Sequence, residues 1–182
     1  MSGRPHPAFI PPQRPPWRGI RHGCRGAWLG AVLAVFLYRL AATAALAAPV
    51  TVAPVSLADF DALLARTDHC VVVAMASWCG PCKTELPHLA KLDRELREKG
   101  LVLYGLSVDY GGVQAMQPLV NKLGVEFPVY WAGEAAVAHY GLNPIPMLVF
   151  LKAGRIVDRI LGAHDEAELR TILERFLENG AP

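Results

Sequence analysis

Two cysteines three residues apart, Cys79 and Cys82 in the run WCGPC, follow directly on the apolar stretch CVVVAMAS, residues 70–77. A short β-branched run of this kind reads as a buried strand. Proline suits the first turn of a helix, where no donor is missed, and glycine permits the tight start. The segment therefore predicts strand, turn, helix, with Cys79 as the first or second helical residue and Cys82 one turn on. A helix N-terminus carries partial positive charge and free N–H groups, and both favour a thiolate. Such a position lowers a cysteine pKa from about 8.5 into the range of roughly 3.5 to 7.5. The thiolate is the attacking species in disulfide exchange. Cys79 is read as an exposed nucleophile and Cys82 as a shielded resolving thiol.

Two plainer readings compete. A zinc site needs two further ligands at metal spacing. There is no second CxxC, and the six histidines form no HxxxH pair, so no metal or other cofactor is expected. A purely structural disulfide across two residues is strained and rare.

Charge is distributed unevenly. No Asp or Glu precedes Asp59, and the six basic residues before it are all arginines. Of 18 basic residues, 12 remain from Asp59 onward against 16 acids, a formal charge of −4. A mildly acidic domain has no electrostatic footprint for nucleic acid. Four cysteines are too few for a disulfide-stapled scaffold.

Residues 1–26 hold six of the 15 prolines with almost no apolar periodicity, and read as a disordered Pro/Arg-rich tail. Residues 27–48 place a 12-residue apolar core behind basic residues and ahead of small ones, the layout of a secretory signal. Ala45-Leu46-Ala47 fits a small-x-small cleavage site. The competing reading keeps residues 27–48 as an uncleaved membrane anchor, interrupted by Arg39. Both place the domain of residues 49–182 outside the cytoplasm. Cys24 precedes the apolar core and reads as a bystander.

Within that domain, SLADFDALLART spaces its apolar residues as a helix, with Ser56 as cap. The helix opened by Cys79 runs to about Lys99, with Leu86, Leu89, Leu92 and Leu96 inward, a kink expected at Pro87 and a stop at Gly100. LVLYGLSV (101–108) is a strand. VQAMQPLVNKLG is a helix broken or bent at Pro118. FPVYW (127–131) is a strand and EAAVAHY a short helix. MLVFL and RIVDRIL form a hairpin across Lys152-Ala153-Gly154, and DEAELRTILERFLEN closes the chain as an amphipathic helix. The sum is an α/β fold whose central mixed sheet ends in an antiparallel hairpin.

At this point WCGPCKTELP, with its Pro87, and NPIPMLVF resemble the thioredoxin superfamily over about residues 56–179. The resemblance implies a thioredoxin-like fold and a loop proline held cis before a strand, assigned to Pro146 in preference to Pro144. It also implies that Trp78 walls the active site and that the backbone of Ile145 pairs with a bound peptide. The export segment, the CxxCxxExP pattern with Glu85, and SVDY followed by a helix and FPVYW are similar to the exported TlpA/ResA/CcmG-type group, with its extra β-α insertion. Val73 departs from that pattern: the superfamily carries a buried polar group there, and valine relays no protons, so Glu85 must serve alone. Its plain alternative is an exposed helix acid beside Lys83. Cys70 reads as an inert core thiol, His88 as facing solvent and Asp109 as a helix cap. His69, His139 and His164 carry no readable signal.

The resemblance implies an extracytoplasmic thiol–disulfide oxidoreductase reducing client protein disulfides. Clients would be apocytochrome c or copper-centre cysteines, and the electron donor a DsbD- or CcdA-like membrane protein. Two alternatives stay open: a disulfide-forming oxidase, which usually carries a larger helical insertion, and a copper-handling assembly factor using the same two cysteines.

Overall fold

A computed structural model describes residues 49–180; the expectations for residues 1–48 fall outside the described residues. A central strand, β2 (His69–Met75), has six of its seven residues enclosed. It pairs parallel with β3 (Leu103–Ser107) on one side and antiparallel with β5 (Met147–Lys152) on the other. Val, Met and Cys side chains leave it through both faces, as a central strand covered by helices requires. The full sheet runs β1-β4-β3-β2-β5-β6, with β1 at Ala53–Pro54, β4 at Val129–Trp131 and β6 at Arg155–Leu161.

Neighbouring residues of β2 point to opposite faces. Val72 pairs with Tyr104 and Val71 with Phe150, so these two aromatics mark the two faces. Phe60 of α1 (Leu57–Ala65) seats that helix on Tyr104 and Tyr130, with Tyr140 of α4 (Ala135–Tyr140) at its edge. Phe176 of α5 (Glu166–Asn179) packs on Phe150 across the other face. α2 (Gly80–Leu96) touches both α5 and α3 (Val113–Leu123). Leu86, Leu89, Leu92 and Leu96 are all buried. Burying four such side chains stabilises by roughly 1.5–3 kcal/mol each before conformational entropy is counted.

Sequence and structure agree on most elements. Ser56 caps α1 by accepting the Asp59 N–H, and Gly100 takes a left-handed conformation after the short 3-10 turn that ends α2. Asp165 and Glu168 form a capping box on α5. The hairpin turn has positive φ at both Ala153 and Gly154, the requirement of the turn that matches strand twist. A Cβ on Gly154 would stand 2.8 Å from the Ala65 backbone.

Three expectations change. The strand of 101–108 shortens to Leu103–Ser107, and that of 127–131 to Val129–Trp131. The helix around Pro118 is unbroken from Val113 to Leu123; Pro118 lies near its middle and forfeits one N–H while the buried Met116, Leu119 and Val120 keep it docked. The sixth strand, β1, is two residues long, and one of them is a proline, tolerated only because β1 is an edge. β4 lies between β3 and this edge strand in the sheet.

Candidate active site

The chain leaves β2 at Met75, and Cys79 follows as the N-cap of α2. It stands one position earlier than predicted, because its backbone is extended and only Gly80 begins the helix. Cys79 and Cys82 form a disulfide with 5.3 Å between Cα atoms. The Cys82 N–H donates to Cys79 Sγ at 3.2 Å, so the sulfur does the work of a helix cap. The expectation of an exposed nucleophile is corrected for this oxidised state. Cys79 is 4% exposed and Cys82 less still. Gly80 has ordinary helical backbone, and a Cβ there would meet nothing within 4 Å. Glycine is therefore not sterically demanded between the cysteines, contrary to expectation.

Asp109 holds the approach to this turn. Its buried carboxylate accepts the Ser77 N–H with both oxygens, the Ser77 hydroxyl at 2.6 Å and the Ser107 hydroxyl at 2.8 Å. The Asp109 carbonyl accepts the Trp131 indole N–H at 2.8 Å. Asp109 is thus a staple between β3 and the cysteine turn, and the cap of α3 is Gly112 instead. On either side of the staple, Trp78 and Tyr110 stack at the surface, with Trp78 55% exposed. They wall a cleft whose other lining includes Val108, Val137, Leu142 and Ile145.

The antiparallel register Ala74↔Met147 brings Pro146 beside the end of β2, just before the cysteine turn. Its peptide bond is cis, as expected; so is that of Pro144, which was not. The Gly162 N–H donates to the Pro146 carbonyl. Ile145 lines the cleft and leans on the core. Trp78, Ile145 and Pro146 therefore gather at one end of the sheet with the disulfide.

Glu85 is 1% exposed, which removes its reading as a surface acid. Oε1 accepts the His164 N–H at 3.1 Å. Burial pushes the carboxyl up to about 7, against that hydrogen bond and the His164 charge, which pull it down. Val73 is buried between Leu148 and Gly105, with no polar function to offer. Cys70 is fully buried and free, and burial pushes its thiol up to about 12. His88 is partly exposed, 3.9 Å from Glu166. Tyr110 and His164 were missed. One is an aromatic in a loop without periodicity, and the other meets Glu85 across 79 residues of chain.

A thiol–disulfide oxidoreductase ResA of Bacillus thuringiensis is 31% identical over 102 residues, 55% of this chain and 58% of that protein. The chain thus spans little more than half the length of that relative. A thioredoxin of Chlamydia caviae is 27% identical over 121 residues, 66% of this chain and 94% of that one. Two solved structures share the fold. A secreted Mycobacterium tuberculosis disulfide oxidoreductase homologous to E. coli DsbE matches with TM-score 0.53 at 23% identity, covering 60% of this chain and 82% of its own. A thioredoxin-family thiol:disulfide interchange protein from Chlorobium tepidum matches with TM-score 0.55 at 22% identity, covering 64% and 84%. The six-stranded mixed sheet with helices on both faces is a thioredoxin-like fold, and the AhpC/TSA family model matches residues 41–160. On that match, which takes in the whole cysteine turn and the cis-proline loop, the chain belongs to the AhpC/TSA family.

Proposed function

We propose that this chain is an extracytoplasmic thiol–disulfide oxidoreductase that reduces disulfides of client proteins. The observation that carries the reading is the Cys79–Cys82 disulfide at the N-terminus of α2, with Cys79 Sγ accepting a helix N–H. The same hydrogen bond and the helix dipole favour a Cys79 thiolate once the pair is reduced. The thiolate attacks a client disulfide, one client sulfur leaves as thiolate, and a mixed disulfide forms. Cys82 then loses its proton to the Glu85 carboxylate and attacks Cys79 Sγ, and the second client sulfur leaves. Two electrons have passed to the client, and the pair is again a disulfide. Trp78, Ile145 and Pro146 hold the client strand over the cysteines.

The names of the relatives support the chemistry, and the secreted neighbour supports export. Residues 27–48 serve as signal or anchor for the domain of 49–182, behind a tail of 1–26. No helix among the described residues is long and apolar enough to cross a membrane. A reductant in an oxidising compartment needs electrons; we assign their supply to a DsbD- or CcdA-like membrane donor, and the clients to cytochrome c maturation or copper-oxidase assembly.

The test is the reduction potential of the full chain, equilibrated in thiol buffers and read by the mass added on alkylation. A value near the thioredoxin end, about −270 mV, supports the reductant. A value near about −120 mV makes the chain a disulfide donor and sinks this direction.

A further inference from the structure

Two large aromatic side chains stand in water beside the cysteine turn. Among the described residues Tyr110, 76% exposed, and Trp78 are the two most exposed large apolar side chains. Apolar surface left exposed next to a reacting group marks a binding surface. Beside the two rings, Val108, Val137, Leu142 and Ile145 give the cleft apolar walls. One lining residue carries a formal charge, Glu134, which immediately precedes α4. It is exposed, its side chain caps no helix N–H, and it joins none of the ion pairs among the described residues.

The two sides of the cleft are braced against each other. The Trp131 indole N–H donates to the carbonyl of Asp109, the residue before Tyr110. The same indole stands against Gly133, where a Cβ would lie 3.9 Å from Trp131 Cη2. Gly133 precedes Glu134, and the Glu134 carbonyl accepts the Val137 N–H. One ring therefore ties the loop bearing Tyr110 to the turn bearing Glu134 and Val137.

Apolar walls, an aromatic rim and a single carboxylate suit one kind of side chain. The stem of an arginine or lysine lies along apolar surface, its cation sits over an aromatic face, and a carboxylate pairs with its N–H groups. Arginine fits better than lysine, because its planar head stacks and forks. From Asp59 onward acids outnumber bases 16 to 12, a field that draws cations inward. Resting on the reduction of client disulfides proposed above, we infer that this cleft is a specificity pocket for a cationic side chain of the client, selected by Tyr110 and Glu134. Ile145 belongs both to the cleft and to the loop assigned to the client strand. Side chains two apart on a strand share a face, so the selected cation stands two residues from the attacked cysteine.

The probes are pentapeptides X-Gly-Cys-Gly-X, blocked at both ends, with X as Arg, Leu or Glu and 2-nitro-5-thiobenzoate disulfide-bonded to the cysteine. The Cys79 thiolate attacks the peptide sulfur and the coloured thiolate leaves; Cys82 then attacks Cys79 Sγ and the peptide leaves as thiolate. In stopped flow with the reduced full chain, colour should appear fastest for Arg, then Leu, then Glu, roughly tenfold from first to last. Glu134→Gln should bring the Arg peptide down to the Leu rate, and Glu134→Lys should make the Glu peptide fastest. Tyr110→Ala should narrow the Arg advantage and Tyr110→Phe keep it. Glu178→Gln removes a charge where α5 ends beside His69 and Lys152, at the opposite end of β2 from the disulfide, and should keep the order. Equal rates for the three peptides overturn the pocket and leave the proposed reduction standing. An order that survives Glu134→Gln, or is lost in Glu178→Gln, comes from overall charge and also overturns the pocket. No colour with any peptide or with 5,5′-dithiobis(2-nitrobenzoate) removes the proposed reduction and the pocket with it.

Discussion

Trp78 and Tyr110 lie stacked with 6.1 Å between ring centroids and 10° between planes, both facing solvent, and the Asp109 carboxylate pins the loop that carries each of them. The stack is a surface feature resting on a buried one. Tyr110→Ala removes only the ring pair and should cost about 0.5–1.5 kcal/mol. Asp109→Ala strands the Ser77 N–H and two hydroxyls; at roughly 1–3 kcal/mol for an orphaned group it should cost clearly more. Urea denaturation of both variants checks the order, and Trp fluorescence should change in each. Equal costs would mean that the staple is not what holds the turn.

Glu85 links acidity to stability. Its carboxyl ionises at about 7 in the fold, against an ordinary 4.5. Between these values the folded chain binds more protons than the unfolded one, so stability falls as pH rises through that window and levels off above it. The gap corresponds to a loss on the order of 3 kcal/mol. Denaturation of the oxidised protein from pH 4 to 8 should show this slope, and Glu85→Gln should flatten it. A wild-type curve already flat between pH 5 and 7 contradicts the buried acid.

Two glycines should respond oppositely to alanine. Gly105, in the middle of β3, has Met75 Cε in the space a Cβ would take and Val129 Cγ2 3.0 Å from it. The methionine tip can yield, but Val129 sits in the core, so Gly105→Ala should destabilise by about 1–3 kcal/mol. Gly80→Ala enters open space at a helical position and should stabilise by up to about 1 kcal/mol. Thermal melts of the two variants settle both signs.

Cys70 should be silent in the folded protein. Its thiol is fully buried, and burial pushes it up to about 12; thiolate is the reactive form. Iodoacetamide at pH 8 should label it only after unfolding, as mass spectrometry of peptides would read out. Labelling in the native state at a rate comparable to Cys79 contradicts that burial.

What the sequence made legible was local. Periodicity located α1, α2 and α5, and the cap at Ser56 is a single-residue signal with a mechanism of its own. The cysteine turn was readable because strand, Gly-Pro and helix are contiguous. The burial of Glu85 was not, because it depends on the β6–α5 loop folding back across α2, and nothing in the residues near Glu85 encodes that. Asp109 misled for the same reason: an Asp after a strand suits a cap, and only the packing of β3 beside β2 brings Ser77 to it. The edge strand β1 has no pattern at all, since two residues cannot show a period.

The empty space above Gly80 has an evolutionary side. The dipeptide between the cysteines sits at the terminus of α2, where side-chain charge acts on the sulfurs, yet a side chain at Gly80 would meet no neighbouring atom. Mutational drift at this position can explore charge and polarity without compensating changes elsewhere. Descendants of one scaffold can thereby diverge in electron affinity while inheriting an unaltered core.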